Sequence, residues 1–569
     1  MYKSDRNFAI VHMSFEESET EESTSSLSEV SSLDDDFVRM DLDSETSDEE
    51  ATDDEIDSKA WSAIKSKSGA EFMEDYGLVQ EVTSISGDNT ILPIDCYRHF
   101  ITDEIIHLMV RETNRYAEQY LETHEISRRS KIHQWKPTTD VEMLKFFGII
   151  IEMGLVQMPK LEYHWSSSQL YGSEIIRNAM ARDRFELLLK FWHFSDNHKH
   201  HSNEDRLIKL KPLLDLLKAR FSSVYVPGAV VTVDETMIPW RGRLLFKQYI
   251  PGKAHKYGIK MYKLAAINGY TWSFLIYTGE QDPMAGVGHA ETVVMNLLNG
   301  LSGYYRTVVA DNFFTSISLA KRLLAHDTYL IGTLRSNRAA SGKELLQKQL
   351  KRGEAHGLQN KEGIKLILWK DKKDVLMIST RPTHSAAVVD TGKTNFQNES
   401  IMKPQVVLDY NKGRQGTDLS DQLSAYYTCL KRSIKWYRKV AFELIFGTAI
   451  VNSYLVYKEQ YSTSNMTILK FRESLVRSLL LGMPFEQLKP GPRQKSISQT
   501  KRKLADHKLE EKEGSARDVR RRCAGCYEKI SQQESREVGH AAAKKVKTFC
   551  PDCDKFFCLD CFNQKHLTF

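Results

Sequence analysis

The sequence lacks any long uncharged apolar run, since no stretch of about eighteen such residues occurs anywhere in the chain. A membrane-spanning helix needs roughly 20 of them, so none is expected. The start, Met1 to Ile10, also lacks the apolar centre of a secretory signal. Together these absences favour a nuclear or cytosolic location, and we expect the protein to be nuclear.

Basic residues are almost absent from residues 16–57, where 19 Asp and Glu accompany a single Arg. The whole chain of 569 residues has a net charge of +4, so the remainder carries about +22 and favours a polyanion as partner. Residues 1 to about 85 are rich in Ser, Glu and Asp and poor in aromatics. Such a composition buries too little apolar surface to offset chain entropy, which predicts a disordered acidic tail.

Cysteine is scarce except near the end, where six of the eight cysteines lie. In a reducing compartment, paired Cys-x₂-Cys units indicate tetrahedral Zn²⁺ sites rather than disulfides, and free buried thiols are the alternative. The predicted zinc ligands are Cys523, Cys526, Cys550, Cys553, Cys558, Cys561 and His566. Seven ligands suggest two ions with one ligand missing, and His540 is a candidate for the eighth. One possible pairing is a cross-brace, in which the first two and the last two cysteines share an ion.

The central part of the chain alternates between strand-like and helix-like segments. Asn268-Gly269 lies between two strand-like segments and predicts a hairpin. The order is three strands, helix, strand, helix, strand, which is the order of an RNase H-like α/β fold. The predicted segments are strands at 230–233, 260–267 and 271–277, a helix at 291–301, a strand at 306–310, a helix at 317–325 and a strand at 329–334.

Helical patterns flank this core. Before it, apolar residues at helical spacing predict helices at 100–110, 141–153 and 183–194, the first with Thr102 as N-cap. Residues 339–404 contain two strand-like pieces, 364–369 and 375–379, and we interpret this stretch as an insertion. The predicted domains are a disordered tail (1–88), a helical segment (89–228), the core (229–338), the insertion (339–404), the end of the core (405–429), a second helical segment (430–488), a basic linker (489–522) and a cysteine-rich zinc domain (523–569).

Four aspartates are candidate ligands for catalytic metal ions. Asp234 and Asp311 each end a short apolar run, while Asp418 and Asp421 are three residues apart on a predicted helix and therefore share one face. Carboxylates this close repel one another unless a cation lies between them. Mg²⁺ prefers such oxygen ligands, and two ions there suit phosphoryl transfer on nucleic acid. For each aspartate alone, a cap or a turn is the ordinary alternative.

Basic and aromatic side chains follow the first and the last of these aspartates. Lys and Arg neutralise phosphates, and aromatic rings stack on exposed bases, so these residues are candidate DNA contacts. The alternative for the tryptophans, Trp240 included, is that they belong to the core. The candidate DNA-binding residues are Arg241, Arg243, Lys247, Lys256, Lys260, Lys435 and Trp436.

Several blocks in order make the chain resemble the piggyBac transposases and the piggyBac transposable element-derived proteins. The first three are Thr113-Asn114-Arg115-Tyr116, Phe147-Gly148 to Gly154, and Arg182-Asp183-Arg184-Phe185. The catalytic blocks are Val233-Asp234-Glu235-Thr236-Met237-Ile238-Pro239-Trp240-Arg241-Gly242-Arg243, Asp311-Asn312-Phe313-Phe314-Thr315-Ser316, and Gly416-Thr417-Asp418 with Asp421-Gln422. The resemblance runs from about Pro93 to Tyr461 and resumes at the terminal cysteines. It departs from the family at Gly252-Lys253-Ala254-His255, which lacks a usual proline, and at Thr417, where Val is common.

The resemblance implies a DNA transposase with an RNase H-like core. Asp234, Asp311 and Asp418 would hold Mg²⁺ or Mn²⁺, with Asp421 as an accessory carboxylate. It further implies a homodimer that cuts element ends through hairpins and inserts at TTAA sites. The helical segment 89–228 would serve dimerisation and DNA binding, the helical segment 430–488 would bind DNA, and the cysteine-rich domain would bind element-end DNA or chromatin partners. The rival interpretation is a domesticated nuclear protein that binds DNA or chromatin without transposing. A zinc-dependent protein adaptor ranks below both.

Overall fold

The computed structural model describes residues 61–65, 68–85, 90–199, 205–253, 255–279, 282, 284–286, 288–394, 398, 400–429, 435–461, 465–482, 508–551 and 553–566. The chain divides into two compact units, Met1–Phe485 and Glu486–Phe569. The acidic run at 16–57 and most of the basic linker lie outside the described residues.

The first unit begins with a helical layer, as the apolar periodicity predicts. Thr102 occupies the N-cap position of the second helix with extended backbone, although its hydroxyl makes no capping bond. The predicted helix at 100–110 is therefore two helices that meet near this residue. The helices are α1 (Pro93–Phe100), α2 (Asp103–Thr123), α3 (Asp140–Leu155), α4 (Glu174–Ala179), α5 (Arg182–Phe191) and α6 (Lys211–Val224), with short 3₁₀ helices at Lys131–Gln134, Leu161–Trp165 and Asn197–Lys199.

A ten-stranded mixed sheet forms the centre of this unit, in the order β1-β10-β11-β12-β9-β8-β4-β6-β5, with β7 also paired to β6. A separate two-stranded pair joins β2 to β3. The strands are β1 (Ser62–Ala63), β2 (Gly77–Leu78), β3 (Tyr225–Val226), β4 (Val230–Pro239), β5 (Gln248–Tyr249), β6 (Tyr257–Ala266), β7 (Thr271–Ile276), β8 (Thr307–Ala310), β9 (Tyr329–Thr333), β10 (Ala355–Gln359), β11 (Lys365–Lys370) and β12 (Asp374–Ser379).

The middle of the sheet has RNase H-like topology, which confirms the predicted fold class. Strands β4, β6 and β7 are antiparallel neighbours, β8 runs parallel to β4, and β9 runs parallel to β8. Helix α7 (His289–Leu297) follows β7, and α8 (Ile317–Leu324) connects β8 to β9. The predicted hairpin at Asn268-Gly269 is present, and Gly269 supplies the positive φ of 94° that its turn requires.

The segment at 339–404 extends the ten-stranded sheet. The two predicted strands are present as β11 and β12, and β12 pairs antiparallel with β9. A third strand, β10, escaped prediction because its sequence, Ala-His-Gly-Leu-Gln, shows little apolar alternation. Beyond them, β13 (Val388–Thr394) and β14 (Ser400–Pro404) form a separate two-stranded ribbon.

Residues 61–85, apart from 66 and 67, form an ordered strap along the sheet, which corrects the prediction of disorder up to residue 85. The strap adds β1 to the edge of β10 and β2 to β3. Glu74 of the strap pairs with Arg306, whose side chain is fully buried, and the Phe72 ring lies 4.9 Å from the same guanidinium. A buried charge needs such a partner, so the strap is part of the folded unit.

The unit ends with helices that pack on the sheet and on the first helical layer. One continuous helix, Trp436–Gln460, has the length and hydropathy of a membrane span, yet 89% of its most apolar window is buried inside the unit. The bounds are α9 (Gln405–Gly413), α10 (Gln415–Ala425), α11 (Trp436–Phe442), a π-helical turn (Glu443–Thr448), α12 (Ala449–Gln460) and α13 (Ile468–Leu481).

The second unit is a small module of short elements around a cluster of cysteines and phenylalanines. Its strands are β15 (Glu510–Glu511), β16 (Arg521–Arg522), β17 (Lys545–Val546), β18 (Thr548–Cys550) and β19 (Lys555–Phe556). Its helices are α14 (Ala516–Val519), α15 (Ala524–Gln533), α16 (Arg536–Ala542) and α17 (Leu559–His566).

Candidate functional site

Two of the predicted aspartates lie side by side on neighbouring parallel strands, but Asp234 is in the middle of β4 rather than at the end of a strand, because β4 continues to Pro239. In the register of β4 and β8, Val233 is opposite Ala310, and Asp234 and Asp311 are the residues that follow this pair, with Asp311 directly after the last residue of β8. Neighbouring strands are about 4.8 Å apart, so the two residues lie close together at the point where β8 ends. Each is only partly exposed.

Helix α10 brings the other two aspartates to this region. The helix packs tightly on the sheet because Gly416 lies against it; a Cβ there would come within 2.5 Å of the carbonyl oxygen of Ala266. Asp418 is in the first turn of α10 and is exposed. Asp421, one turn later, points toward the strands.

Asp421 is held by two residues of the sheet. The ammonium of Lys263, whose side chain is fully buried, lies 2.8 Å from Oδ1 of Asp421. The hydroxyl of Thr236 donates to both carboxylate oxygens, at 2.9 and 2.8 Å. Lys263 is the cross-strand partner of Asp234. The oxygens of Asp421 are therefore engaged by Lys263 and Thr236, and Asp418 is exposed one turn earlier on the helix.

Glu235 is a further carboxylate of this cluster that the sequence reasoning missed. Its Oε1 is 3.4 Å from the ammonium of Lys253, and its Oε2 is buried without a hydrogen-bond partner among the described residues. Strand alternation places it on the face opposite Asp234, so the sequence pattern gave no reason to group them. Only its position beside a predicted ligand could have drawn attention to it.

The electrostatics of the cluster favour a bound cation. Burial, then the nearby charge of Glu235, raises the pKa of Asp234 well above its usual value. The same two causes, in the same order, raise the pKa of Asp311 to about 6. Burial alone would lower the pKa of Lys253, but the charges of Asp234 and Glu235 outweigh it and raise that pKa. Because carboxylates crowded this way repel one another, their chemistry suits an oxygen-seeking divalent cation. Among the described residues, however, no three of these carboxylates have oxygen atoms all within 4.8 Å of one another.

The candidate DNA-binding residues divide by exposure. Lys260 is buried, with its ammonium 4.1 Å from the centre of the Phe313 ring, so it belongs to the interior beside the carboxylates rather than to a surface that meets phosphates. The Trp436 ring packs edge-on against Phe246 at 5.1 Å, and Trp240 is buried. The exposed residues are Arg241, Arg243, Lys256 and Lys435, and the half-buried ones are Lys247 and Trp436.

Four cysteines of the second unit converge as the cross-brace pairing predicts. The sulfur atoms of Cys523, Cys526, Cys558 and Cys561 all lie within 4.8 Å of one another. Three of the separations are 3.7, 3.8 and 3.7 Å. Zn–S bonds of about 2.3 Å in a tetrahedron require S···S distances of roughly 3.8 Å, so this set fits Zn²⁺.

The surroundings of these sulfurs suit thiolate ligands. Backbone N–H groups of Cys526 and Cys558 donate to Sγ of Cys523, at 3.5 and 3.2 Å. Gly525 leaves room for the cluster, because a Cβ there would come within 2.6 Å of the Cys561 Cβ.

The residues of the second predicted zinc site do not converge among the described side chains. Cys550 is buried and Cys553 half-buried, and among the described side chains no group of three ligands forms around them. The side chain of His566 lies outside the described residues. His540 is exposed on α16 with its ring 6.4 Å from that of Tyr527. This second site and its ligands stay predictions.

Comparison with known proteins agrees with this architecture. The family model described as Transposase IS4 matches residues 92–454. PiggyBac transposable element-derived protein 3 of Homo sapiens is 27% identical over 400 residues, which are 68% of this chain and 64% of the relative. PiggyBac transposable element-derived protein 2 of Homo sapiens is 25% identical over 405 residues, 67% of this chain and 64% of the relative. The chain thus spans somewhat less than two thirds of each relative's length.

A solved structure is also similar. The cryo-EM structure of a piggyBac transposase synaptic complex with hairpin DNA superposes with a TM-score of 0.60 at 25% identity, covering 86% of this chain and 98% of that one. The family match covers more than half of the sequence, and the topology of the sheet agrees with it. The chain therefore belongs to the Transposase IS4 family and, within it, to the piggyBac transposases and piggyBac transposable element-derived proteins.

Proposed function

We propose that this protein is a DNA transposase that cuts and rejoins DNA at TTAA sites with the help of divalent metal ions. The observation that carries the proposal is the alignment of Asp234, within β4, with Asp311, directly after β8, and the position of Asp418 on the helix packed over the same sheet. Family membership alone would not require these carboxylates, since a protein derived from a transposase can keep the fold and lose the reaction.

Three aspartates would hold Mg²⁺ or Mn²⁺ in this proposal. Asp234 and Asp311 supply two ligands on rigid strands, and Asp418 supplies a third from α10. Bound cations there would activate the attacking water or 3′-hydroxyl and stabilise the leaving oxygen of the phosphodiester. Asp421 acts differently: its bonds to Lys263 and Thr236 hold α10 against the sheet, and Asp418, exposed in the first turn of that helix, would complete the ligand set from there.

Lys253 balances the acidic cluster from the opposite side. Its ammonium donates to the backbone carbonyl of Glu235 at 3.1 Å and lies near the Glu235 carboxylate. About a third of this side chain is exposed, so it can withdraw toward solvent when other positive charge enters. It limits the repulsion that the carboxylates exert on one another before a cation is bound.

Double-stranded DNA is the proposed substrate, and a homodimer is the proposed working form. The similar solved structure is a synaptic complex with hairpin DNA, and the exposed basic residues that follow β4 suit phosphate contacts. Zn²⁺ held by the four converging cysteines would stabilise the second unit, which we propose contacts element-end DNA or chromatin. These roles place the protein in the nucleus.

An excision assay in cells tests the proposal. A reporter is flanked by the DNA that borders the gene, with TTAA at each junction. Wild type is compared with Asp234→Asn, Asp311→Asn and Asp418→Asn. The matched control is Asp374→Asn, which alters an exposed carboxylate on β12, away from the cluster.

We expect wild type and the control to restore TTAA at the donor site and the three cluster variants to fall to background. Excision by the cluster variants would refute the assigned ligands. If no protein excises while all of them are nuclear and bound to DNA, the function is that of a domesticated DNA-binding protein.

A further inference from the structure

Two tyrosine rings lie side by side on the surface at one end of the catalytic sheet. Tyr249 of β5 and Tyr257 of β6 are direct cross-strand partners. Their ring centroids are 4.7 Å apart with planes inclined by 38°, and the residues are 53% and 48% exposed. Large aromatic side chains normally stabilise a protein through burial, so two that share a solvent-facing position point to an external partner.

The chain around this pair is strongly basic. Residues 241–257 contain five Lys and Arg and no Asp or Glu. The ammonium of Lys247 lies 5.7 Å from the centre of the Tyr257 ring, and Lys256 next to it is exposed. The backbone N–H of Trp240 donates to the carbonyl of Tyr257 at 3.1 Å, which joins the loop carrying two exposed arginines to the same end of the sheet.

Strand geometry relates the pair to the carboxylate cluster. Tyr257 and Lys263 are six residues apart on β6, and an even separation places both side chains on one face of the strand. Lys263 binds Asp421 and is opposite Asp234. At about 3.3 Å per residue, Tyr257 is at most roughly 20 Å from Asp234 along the strand. The loop between the two tyrosines folds back toward the cluster, because the Lys253 ammonium lies 3.1 Å from the carbonyl oxygen of Glu235. A nucleic-acid strand covers roughly 20 Å in about six nucleotides at 3.4 Å each, so six is the upper limit.

We propose that Tyr249 and Tyr257 form a stacking platform for unpaired bases of the DNA strand, within about six nucleotides of the cleavage point. Exposed aromatic rings stack on any base, and flanking cations follow the phosphates, which together make a site for single-stranded DNA of little sequence preference. The distance to the cut rests on the proposed transposase function, whereas the stacking itself does not.

The test uses the full chain carrying Asp234→Asn, so that DNA is bound and not cut. One probe is a duplex with a six-nucleotide single-stranded extension that contains 2-aminopurine, and the other is the blunt duplex. Stacking on a tyrosine quenches 2-aminopurine fluorescence. Tyr304→Ala is the matched control, because Tyr304 is 47% exposed and precedes the opposite end of β8.

Tyr249→Ala and Tyr257→Ala should each weaken binding of the extended DNA at least about fivefold, because stacking on an aromatic residue contributes about that much or more per base. Both variants should reduce the quenching of 2-aminopurine, and their affinity for the blunt duplex should stay within about twofold of that of the parent. The Phe variants at both positions and the Tyr304→Ala control should behave as the parent does. Tryptophan fluorescence during thermal unfolding verifies that each variant is folded.

Two results would overturn the platform. The first is unchanged quenching and affinity in both alanine variants, and the second is an equal loss on extended and blunt DNA. If excision in cells fails with wild type while quenching persists and depends on the tyrosines, the transposase proposal is lost and the platform stands.

Discussion

The ion pair between Asp421 and Lys263 predicts that removing Asp421 destabilises the protein more than removing Lys263. Lys263 has no exposed surface, whereas the Asp421 side chain is 34% exposed. Removing the carboxylate by Asp421→Ala leaves a buried ammonium that has lost its ion-pair partner, with the buried Glu443 as a remaining acidic neighbour. Removing the ammonium by Lys263→Met leaves a carboxylate that water and the Thr236 hydroxyl still reach.

The size of each effect follows from burial. Removing one partner of a buried pair costs about 3–5 kcal/mol, and partial exposure of Asp421 places Asp421→Ala near ~3 kcal/mol. Lys263→Met replaces the lysine with an apolar side chain of similar volume and should cost about 1 kcal/mol. The double variant removes both charges of the pair, and the buried Glu443 that remains has a pKa already raised by burial, so the double variant should be more stable than Asp421→Ala by about 1–2 kcal/mol.

Tryptophan fluorescence during urea unfolding measures these free energies in the full chain. All eight tryptophans lie between Trp61 and Trp436, so the signal reports the first unit and not the cysteine-rich module. The control is Asp374→Ala, which breaks the exposed pair with Lys370 and should cost less than about 0.5 kcal/mol. The reasoning is wrong if the losses in unfolding free energy of the two single variants add up in the double variant. It is also wrong if the two single variants lose the same free energy.

Two further predictions concern metals. The Cys523→Ser variant should contain one zinc ion fewer per chain in native mass spectrometry, and its second unit should be unfolded while tryptophan fluorescence stays unchanged. Gly525→Ala should bind the same ion more weakly, because its Cβ would crowd Cys561. Zinc content equal to wild type in both variants would contradict the assignment. Asp311 has a pKa raised to about 6, so without metal it takes up its proton as pH falls through 6, and the rise in melting temperature caused by Mg²⁺ should be larger at pH 7.5 than at pH 5.5. Asp311→Asn should reduce that difference, and an equal Mg²⁺ effect at both pH values would exclude Asp311 as a ligand.

The sequence predicted the parts of the site that depend on local pattern. Asp234 and Asp311 follow short apolar runs, and such runs become adjacent parallel strands in an RNase H-like order. The cross-brace pairing of the cysteines, which was one option among several, is the one present for the first zinc set. In each case one short stretch of sequence contained both the secondary-structure element and the side chain that this element positions.

What escaped prediction depends on contacts between distant segments. The burial of Lys260 is set by Phe313, which is 53 positions later in the chain. The engagement of Asp421 required knowledge that Lys263 is opposite Asp234. A count of charges along the chain identifies basic surfaces but does not distinguish a lysine that faces solvent from one that balances a carboxylate inside.

The ordered strap has a consequence for where this protein can be divided. A fragment that begins at the predicted start of the helical segment, residue 89, would lose Glu74 and leave the Arg306 guanidinium buried without its partner. It would also uncover the backbone of β10, an open strand edge that invites pairing between copies. A tag or fusion partner should therefore be attached before Trp61, because a shorter fragment would be prone to aggregate however complete its catalytic residues are.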